Sequence, residues 1–175
     1  MTTLLPSALE PGTRVPSFAL ADPDGRTYRP GDFRGRRNLA LVFIRDAACG
    51  PCQEVLREFA AAHREYVERH VQVLAVVPGG PDVAARLRER LGLPYPVLAD
   101  PEGAAWRAYL GPSAERAEAA VFCTDRYGVL EEQAVREDAL ALPAQGDFLA
   151  WFDYIEVRCG CSLALGPGET GEPSA

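Results

Sequence analysis

Cys49 and Cys52 are the residues in this 175-residue chain whose type and spacing best suit chemistry. They bracket Gly50-Pro51 and follow a dense apolar run. Two thiols at that spacing can pass between dithiol and disulfide, a two-electron change that runs through a mixed disulfide. Pro51 suits the first turn of a helix, where its missing N–H costs nothing. The pair is therefore expected where a strand hands over to a helix. A helix N-terminus offers unpaired N–H groups and a partial positive charge, and both favour a thiolate on Cys49 at its mouth. The dipole contributes only about 0.3–1 kcal/mol, less than one pKa unit, so hydrogen bonds must supply more. Cysteines in such settings titrate at about 3.5–7.5 instead of about 8.5. Cys52, one turn in, suits a resolving role. The expected cycle is attack by Cys49 on a disulfide, then attack by Cys52 on the mixed disulfide. Reversed, the same site oxidises dithiols.

Three further cysteines admit simpler readings. Cys123 lies in an apolar strand and reads as a small buried hydrophobe. Cys159-Gly160-Cys161 reads in two ways: a helix end with Gly160 just past it, or an auxiliary dithiol exchanging with the Cys49–Cys52 pair. A zinc site from Cys49, Cys52, Cys159 and Cys161 is an alternative, but Cys-x-Cys is short for its second half; no metal and no cofactor is expected. Arg45 either lowers the Cys49 pKa or binds an anion, or it is a loop charge in solvent. His63 and His70 lack a spaced ligand or acid partner and are expected to be structural.

The elements that must position these groups follow from periodicity. Phe18 to Tyr28 predicts two strands around the turn Asp22-Pro23-Asp24-Gly25. Asn38 to Ile44 predicts a strand buried on both faces. A helix is expected from the Cys pair to about His70, with Val55, Leu56, Phe59, Ala60, His63 and Val67 on one side. Val71 to Val77 predicts a second buried strand. Asp82 to Leu91 predicts a helix ended by Gly92, Pro96 to Ala99 a short strand, and Glu102 to Leu110 a helix ended by Gly111. Ala120 to Thr124 and Val129 to Ala134 predict a hairpin around Asp125-Arg126-Tyr127-Gly128, and Asp147 to Arg158 a last helix. The early strands should be parallel with right-handed crossovers, and the last two antiparallel. Residues 1–13 read as an irregular tail and 166–175 as a disordered one, which leaves a single domain over 1–165.

Composition narrows the class. Hydrophobic residues are 47% and charged residues 25%, ordinary globular values that exclude disorder and collagen-like fibre. No apolar run approaches the roughly 20 residues a bilayer span needs, so no membrane association is expected. The net charge of −7 argues against nucleic-acid binding. All 18 basic residues are Arg, which excludes lysine chemistry. Met1 to Glu10 lacks the basic and apolar regions of a secretory signal, so a cytoplasmic location is expected. In that reducing compartment, paired cysteines point to redox chemistry or metal rather than structural bridges.

Cys49-Gly50-Pro51-Cys52 is identical to the active-site tetrad of thioredoxins, and the wider frame resembles the peroxiredoxin-like branch of the thioredoxin superfamily (alkyl hydroperoxide reductase/thiol-specific antioxidant type). The matching pieces are Pro16-Ser17-Phe18-Ala19-Leu20, Asp24-Gly25, Phe33-Arg34-Gly35, Leu41-Val42-Phe43, Pro96-Val97-Leu98-Ala99-Asp100 with Gly103, and Val121-Phe122-Cys123-Thr124-Asp125 with Gly128. They cover roughly residues 11–135. The resemblance implies an α/β thioredoxin-like fold: a central mixed sheet flanked by helices, an N-terminal β-hairpin, and a segment inserted around 81–111. It implies a thiol-disulfide oxidoreductase with Cys49 and Cys52 catalytic and Gly50, Pro51 and Arg45 supporting. Its partners would be protein or small-molecule thiols and disulfides and a cellular dithiol reductant, and it suggests a homodimer. Three departures stand out. The cis-proline of thioredoxins is replaced near Ala119 or Ala120, and the Trp before the first Cys is Ala48. If Cys52 matches the peroxidatic Cys, the Thr position is Cys49, the upstream Pro is Arg45, and the Arg falls near Ala119. This favours disulfide exchange. Hydroperoxide reduction, and a binding or zinc-holding module without turnover, stand as alternatives.

Overall fold

A computed structural model describes the backbone of residues 4–164 and the side chains of 4–159. The Asp22–Gly25 turn forms as expected. Asp22 Oδ1 accepts the N–H groups of Asp24 and Arg26, each at 2.9 Å, a side-chain clasp typical of Asp at turns. It joins β1 (Leu20–Ala21) and β2 (Thr27–Tyr28) as an antiparallel pair.

The expected doubly buried strand is β3 (Asn38–Ile44), with all seven residues buried. Period-two alternation sends Ala40, Val42 and Ile44 to one core and Leu39, Leu41 and Phe43 to the other. The chain then enters α1 (Gly50–Ala61), where one long helix was expected. Instead Ala62, at φ −90° and ψ 3°, interrupts it, and α2 (His63–Glu68) follows. That backbone sits in the sparsely used bridge region. Its buried anchor on α2 is Tyr66, whose ring lies 5.4 Å from Phe59 and whose hydroxyl donates to Gln145 at 2.6 Å.

The middle of the chain supplies β4 (Val71–Pro78), α3 (Pro81–Leu91), β5 (Val97–Asp100) and α4 (Ala104–Leu110). Gly92 closes α3 in a left-handed conformation, and Gly111 ends α4. A Cβ on Gly111 would come within 2.7 Å of Ala8, so only glycine lets the N-terminal segment pass. The chain ends with β6 (Ala119–Thr124), β7 (Leu130–Arg136) and α5 (Gln145–Ala164).

The five-stranded sheet runs β5-β4-β3-β6-β7. β3, β4 and β5 are parallel, β6 is antiparallel to β3, and β7 is antiparallel to β6. This is the mixed thioredoxin-like sheet the sequence pointed to. α1, α2, α3 and α5 pack on one face. α4 and the N-terminal segment cover the other.

Two further expectations need correction. Residues 1–13 were expected as an irregular tail, yet Leu5 is buried and residues 5–13 hydrogen-bond along β7. Leu5 N donates to Val135 O, Gly12 N to Leu130 O, and Leu130 N to Thr13 O. An edge strand presents a row of open N–H and C=O groups, and this segment fills them. The last helix was expected to stop before Gly160, but α5 continues to Ala164, so Gly160 does not act as its terminator. An isolated glycine costs a helix only about 1 kcal/mol, which the buried anchors Phe148, Phe152 and Ile155 offset. The expected tail over 166–175 lies outside the described residues.

Candidate active site

Cys49 occupies the N-cap of α1, with an extended backbone at φ −69° and ψ 121°. Its Sγ accepts the N–H of Cys52 at 3.4 Å, and its carbonyl accepts the N–H of Gln53 at 3.0 Å. The sulfur thus takes the place of the hydroxyl or carboxylate oxygen that usually caps a helix. Pro51 stands in the first turn, as expected, and removes one donor that would otherwise lack a partner. Gly50 is exposed and has open space where a Cβ would stand. Cys49 is half-buried, whereas Cys52 is only 1% exposed.

The two thiols meet different surroundings. Cys52 Sγ donates to the Glu118 carbonyl at 3.6 Å. Burial pushes the Cys52 thiol up to about 12, and the neighbouring Cys49 sulfur adds to the rise through a hydrogen bond and its charge. The Glu118 carboxylate acts in the same direction, and a backbone hydrogen bond from Asp46 opposes it. The four described cysteines, Cys49, Cys52, Cys123 and Cys159, carry free thiols.

The loop before Cys49 is pinned from both sides. Asp46 Oδ1 accepts the Ala48 N–H at 2.8 Å, and the Asp46 carbonyl accepts the Cys49 N–H at 3.3 Å. Gln53 Nε2 reaches back from α1 to the Ala47 carbonyl at 2.8 Å. Asp46 and Gln53 are thus positioning residues for the loop. An Asp two residues before Ala48 is a recognisable Asx-turn signal, but Gln53 carries no such mark.

Glu118 also escapes a sequence reading. Its carbonyl receives Cys52 Sγ and, at 2.8 Å, the Arg45 N–H. Its carboxylate accepts the Ala139 N–H at 3.1 Å. Ala119 follows it and pairs with Ile44, and the described residues contain no cis peptide bond. The Glu118 carbonyl, one residue ahead of β6, therefore lies against Cys52. Arg45 projects elsewhere: its Nη1 donates to the Glu115 carbonyl at 3.2 Å.

The structure does not bring Cys159 to this site. Asp125, Arg126, Glu131 and Glu156 are the charges that act on it, after burial, which raises its pKa. Asp125 follows the far end of β6, whereas Glu118 precedes its near end. At roughly 3.3 Å per strand residue, about 20 Å separates the two ends. Across that gap Cys159 does not reach Cys49 within one chain. The expected partner Cys161 has a side chain outside the described residues. Cys123 is fully buried in β6, as expected, and burial raises its pKa. His63 packs against the Tyr95 ring at 5.9 Å. His70 takes a left-handed φ of 55° at the turn into β4, a conformation for which His is enriched.

The described helices include none long and apolar enough to cross a membrane. Comparison with known proteins bears on the family. The model of the AhpC/TSA family matches residues 11–133. A peroxiredoxin-type protein of Mycobacterium tuberculosis is 33% identical over 105 residues, 58% of this chain and 66% of that one. The thiol-disulfide oxidoreductase ResA of Geobacillus thermodenitrificans is 32% identical over 108 residues, 61% of each chain. This chain therefore spans slightly less than two thirds of the length of both relatives. The crystal structure of peroxidoxin BcpB from Mycobacterium tuberculosis superposes with a TM-score of 0.72 at 18% identity, covering 84% of this chain and 98% of that one. That likeness establishes the shared fold. With the family model matching well over half its length, this chain belongs to the AhpC/TSA family.

Proposed function

We propose that the protein is a thiol-disulfide oxidoreductase in which Cys49 is the nucleophile and Cys52 the resolving thiol. The asymmetry of the pair carries this reading: Cys49 reaches solvent at a helix N-cap, and Cys52 is 1% exposed and pushed up to about 12. A sulfur that accepts an N–H at the positive end of a helix is stabilised as negative charge develops on it. The Cys49 thiolate attacks one sulfur of a substrate disulfide, and the other sulfur leaves as a thiolate. Cys52 then attacks Cys49 Sγ and loses its proton to the departing second thiolate. Two electrons pass from the dithiol to the substrate, and a cellular dithiol restores the enzyme. The substrates are disulfides of proteins or small molecules, and the compartment that suits a reduced pair is the cytoplasm.

Hydroperoxide reduction is the second reading, favoured by family membership. Its peroxidatic thiol would be Cys49. Burial pushes the Cys52 thiol up, so it ionises less readily than an exposed thiol at pH 7.

A trapping experiment tests the proposal. Cys52→Ser should accumulate mixed disulfides through Cys49 when exposed to substrate disulfides. Cys49→Ser should form none. Absence of adducts on Cys52→Ser, together with no reversible oxidation of the wild-type pair, contradicts it.

A further inference from the structure

A groove of about 580 Å³ opens one residue before Cys49. Ala47 and Ala48 form one wall, and Val83, Leu87, Arg86 and Arg90 of α3 form the other. The volume falls within the range of small-ligand sites, about 300–1,000 Å³. Two alanines make a flat apolar wall. They are fixed in place, since Asp46 holds the Ala48 N–H and Gln53 holds the Ala47 carbonyl. Leu87 is 3% exposed and anchors the opposite wall in the core.

The charges on the rim select against a strongly ionic ligand. Arg86 pairs with Asp82 at 3.3 Å, and Glu89 lines the groove beside Arg90. Cations and anions therefore balance. Arg86 and Arg90 stand one helical turn apart, so both guanidinium groups reach the same wall. Guanidinium planes stack on aromatic faces. An apolar slot flanked by two arginines whose charges are offset by Asp82 and Glu89 is complementary to a neutral aromatic ring.

We propose that this groove seats an aromatic group carried by a low-molecular-weight disulfide. The inference rests on the reading of Cys49 as nucleophile. Adjacent Cα atoms are about 3.8 Å apart, so a ring against Ala48 sits one residue from Cys49 along the chain. Cys49 thiolate forms the new S–S bond, and the first aryl thiolate departs. Cys52 then displaces the second thiolate, which takes the Cys52 proton. The enzyme dithiol is oxidised and the aryl disulfide is reduced to two thiols.

The test uses pre-reduced full-length protein under single-turnover conditions, with acid quenching and mass measurement of the oxidised fraction. The substrates are 4,4′-dithiodipyridine (aromatic), dibutyl disulfide (aliphatic) and 2-hydroxyethyl disulfide (hydrophilic). Ala48→Trp fills the slot with an indole at an exposed position. It should lower the rate with 4,4′-dithiodipyridine about tenfold more than the rate with 2-hydroxyethyl disulfide. Arg90→Ala, a surface change that keeps the fold, should shift the same ratio in the same direction by about threefold. Equal effects on the aromatic and hydrophilic substrates in both variants overturn the groove proposal and leave the nucleophile intact. A loss with dibutyl disulfide as large as with the aromatic substrate overturns the choice of ring. If wild type reacts no faster than Cys49→Ser, the underlying reading fails, and the groove proposal with it.

Discussion

Cys52 and Glu118 meet across 66 residues of sequence: the buried thiol donates to the main-chain carbonyl at 3.6 Å, directly ahead of β6. This contact fixes the Cys52 sulfur from the side of the sheet, while the N-cap geometry fixes Cys49 from the side of α1. The two thiols thus belong to one motif but are held by different elements. Glu118 uses its carbonyl for Cys52 and its carboxylate for Ala139 N. Glu118→Ala keeps the carbonyl and loses the carboxylate. It should cost about 1 kcal/mol, the typical worth of one hydrogen bond. It should also lower the Cys52 pKa, because the carboxylate raises it. Thermal melting checks the first effect. Following thiolate absorbance on alkaline titration of the Cys49→Ser background checks the second.

Alkaline stability follows from the same burial. Cys52 and Cys123 both have folded-state pKa values raised above those of an unfolded chain. The unfolded state releases these protons first, so it binds fewer of them as pH rises. The contribution is therefore fully present below about pH 8.5 and is lost as pH climbs toward 12. The slope is at most about 1.4 kcal/mol per pH unit for each thiol. Urea unfolding at pH 8, 9 and 10 should show falling stability under reducing conditions. Cys123→Ala should flatten the fall even as it lowers stability at pH 8.

The second core depends on Phe43. Its ring lies 4.9 Å from Tyr109, 5.6 Å from Phe122 and 6.5 Å from Trp106. Phe43→Ala should cost about 3–5 kcal/mol, as for other buried aromatics cut to Ala. Chemical denaturation should show this as a lower midpoint with an unchanged slope. An intact midpoint would mean that the N-terminal segment and α4 hold that face without the ring.

Cys159 provides a control for the location of the chemistry. With its neighbours at the far end of β6, the double variant Cys159→Ser/Cys161→Ser should reduce insulin within about twofold of the wild-type rate. A loss of tenfold or more (about 1.4 kcal/mol) would show that the C-terminal cysteines reach the pair.

Much of this was legible in the sequence because it rests on local pattern. The β3 run, the Asp22–Gly25 turn, Gly92 and Gly111 as helix ends, and Pro51 in the first turn of α1 all carry signals within a few residues. The parallel early strands and the antiparallel last pair follow from connection rules, whereas the order β5-β4-β3-β6-β7 carries no local signal. What escaped is long-range. No pattern around Glu118 announces that its carbonyl meets Cys52, or that Gln53 folds back onto Ala47. The docking of Leu5 to Thr13 on β7 depends on an open edge that exists only once the sheet has formed. The break at Ala62 also went unseen, since apolar positions keep a helical period through it. Gly160 misled for the opposite reason: a strong local stop signal gave way to a helix already anchored by Phe148, Phe152 and Ile155.

The unequal roles of the two thiols can be measured directly by alkylation at pH 7 with iodoacetamide, followed by peptide mapping of the reduced full-length protein. Cys49 should be labelled at least about a hundredfold faster than Cys52, because reaction follows the exposed thiolate. Equal labelling of the two, or faster labelling of Cys52, would contradict the assignment of Cys49 as nucleophile.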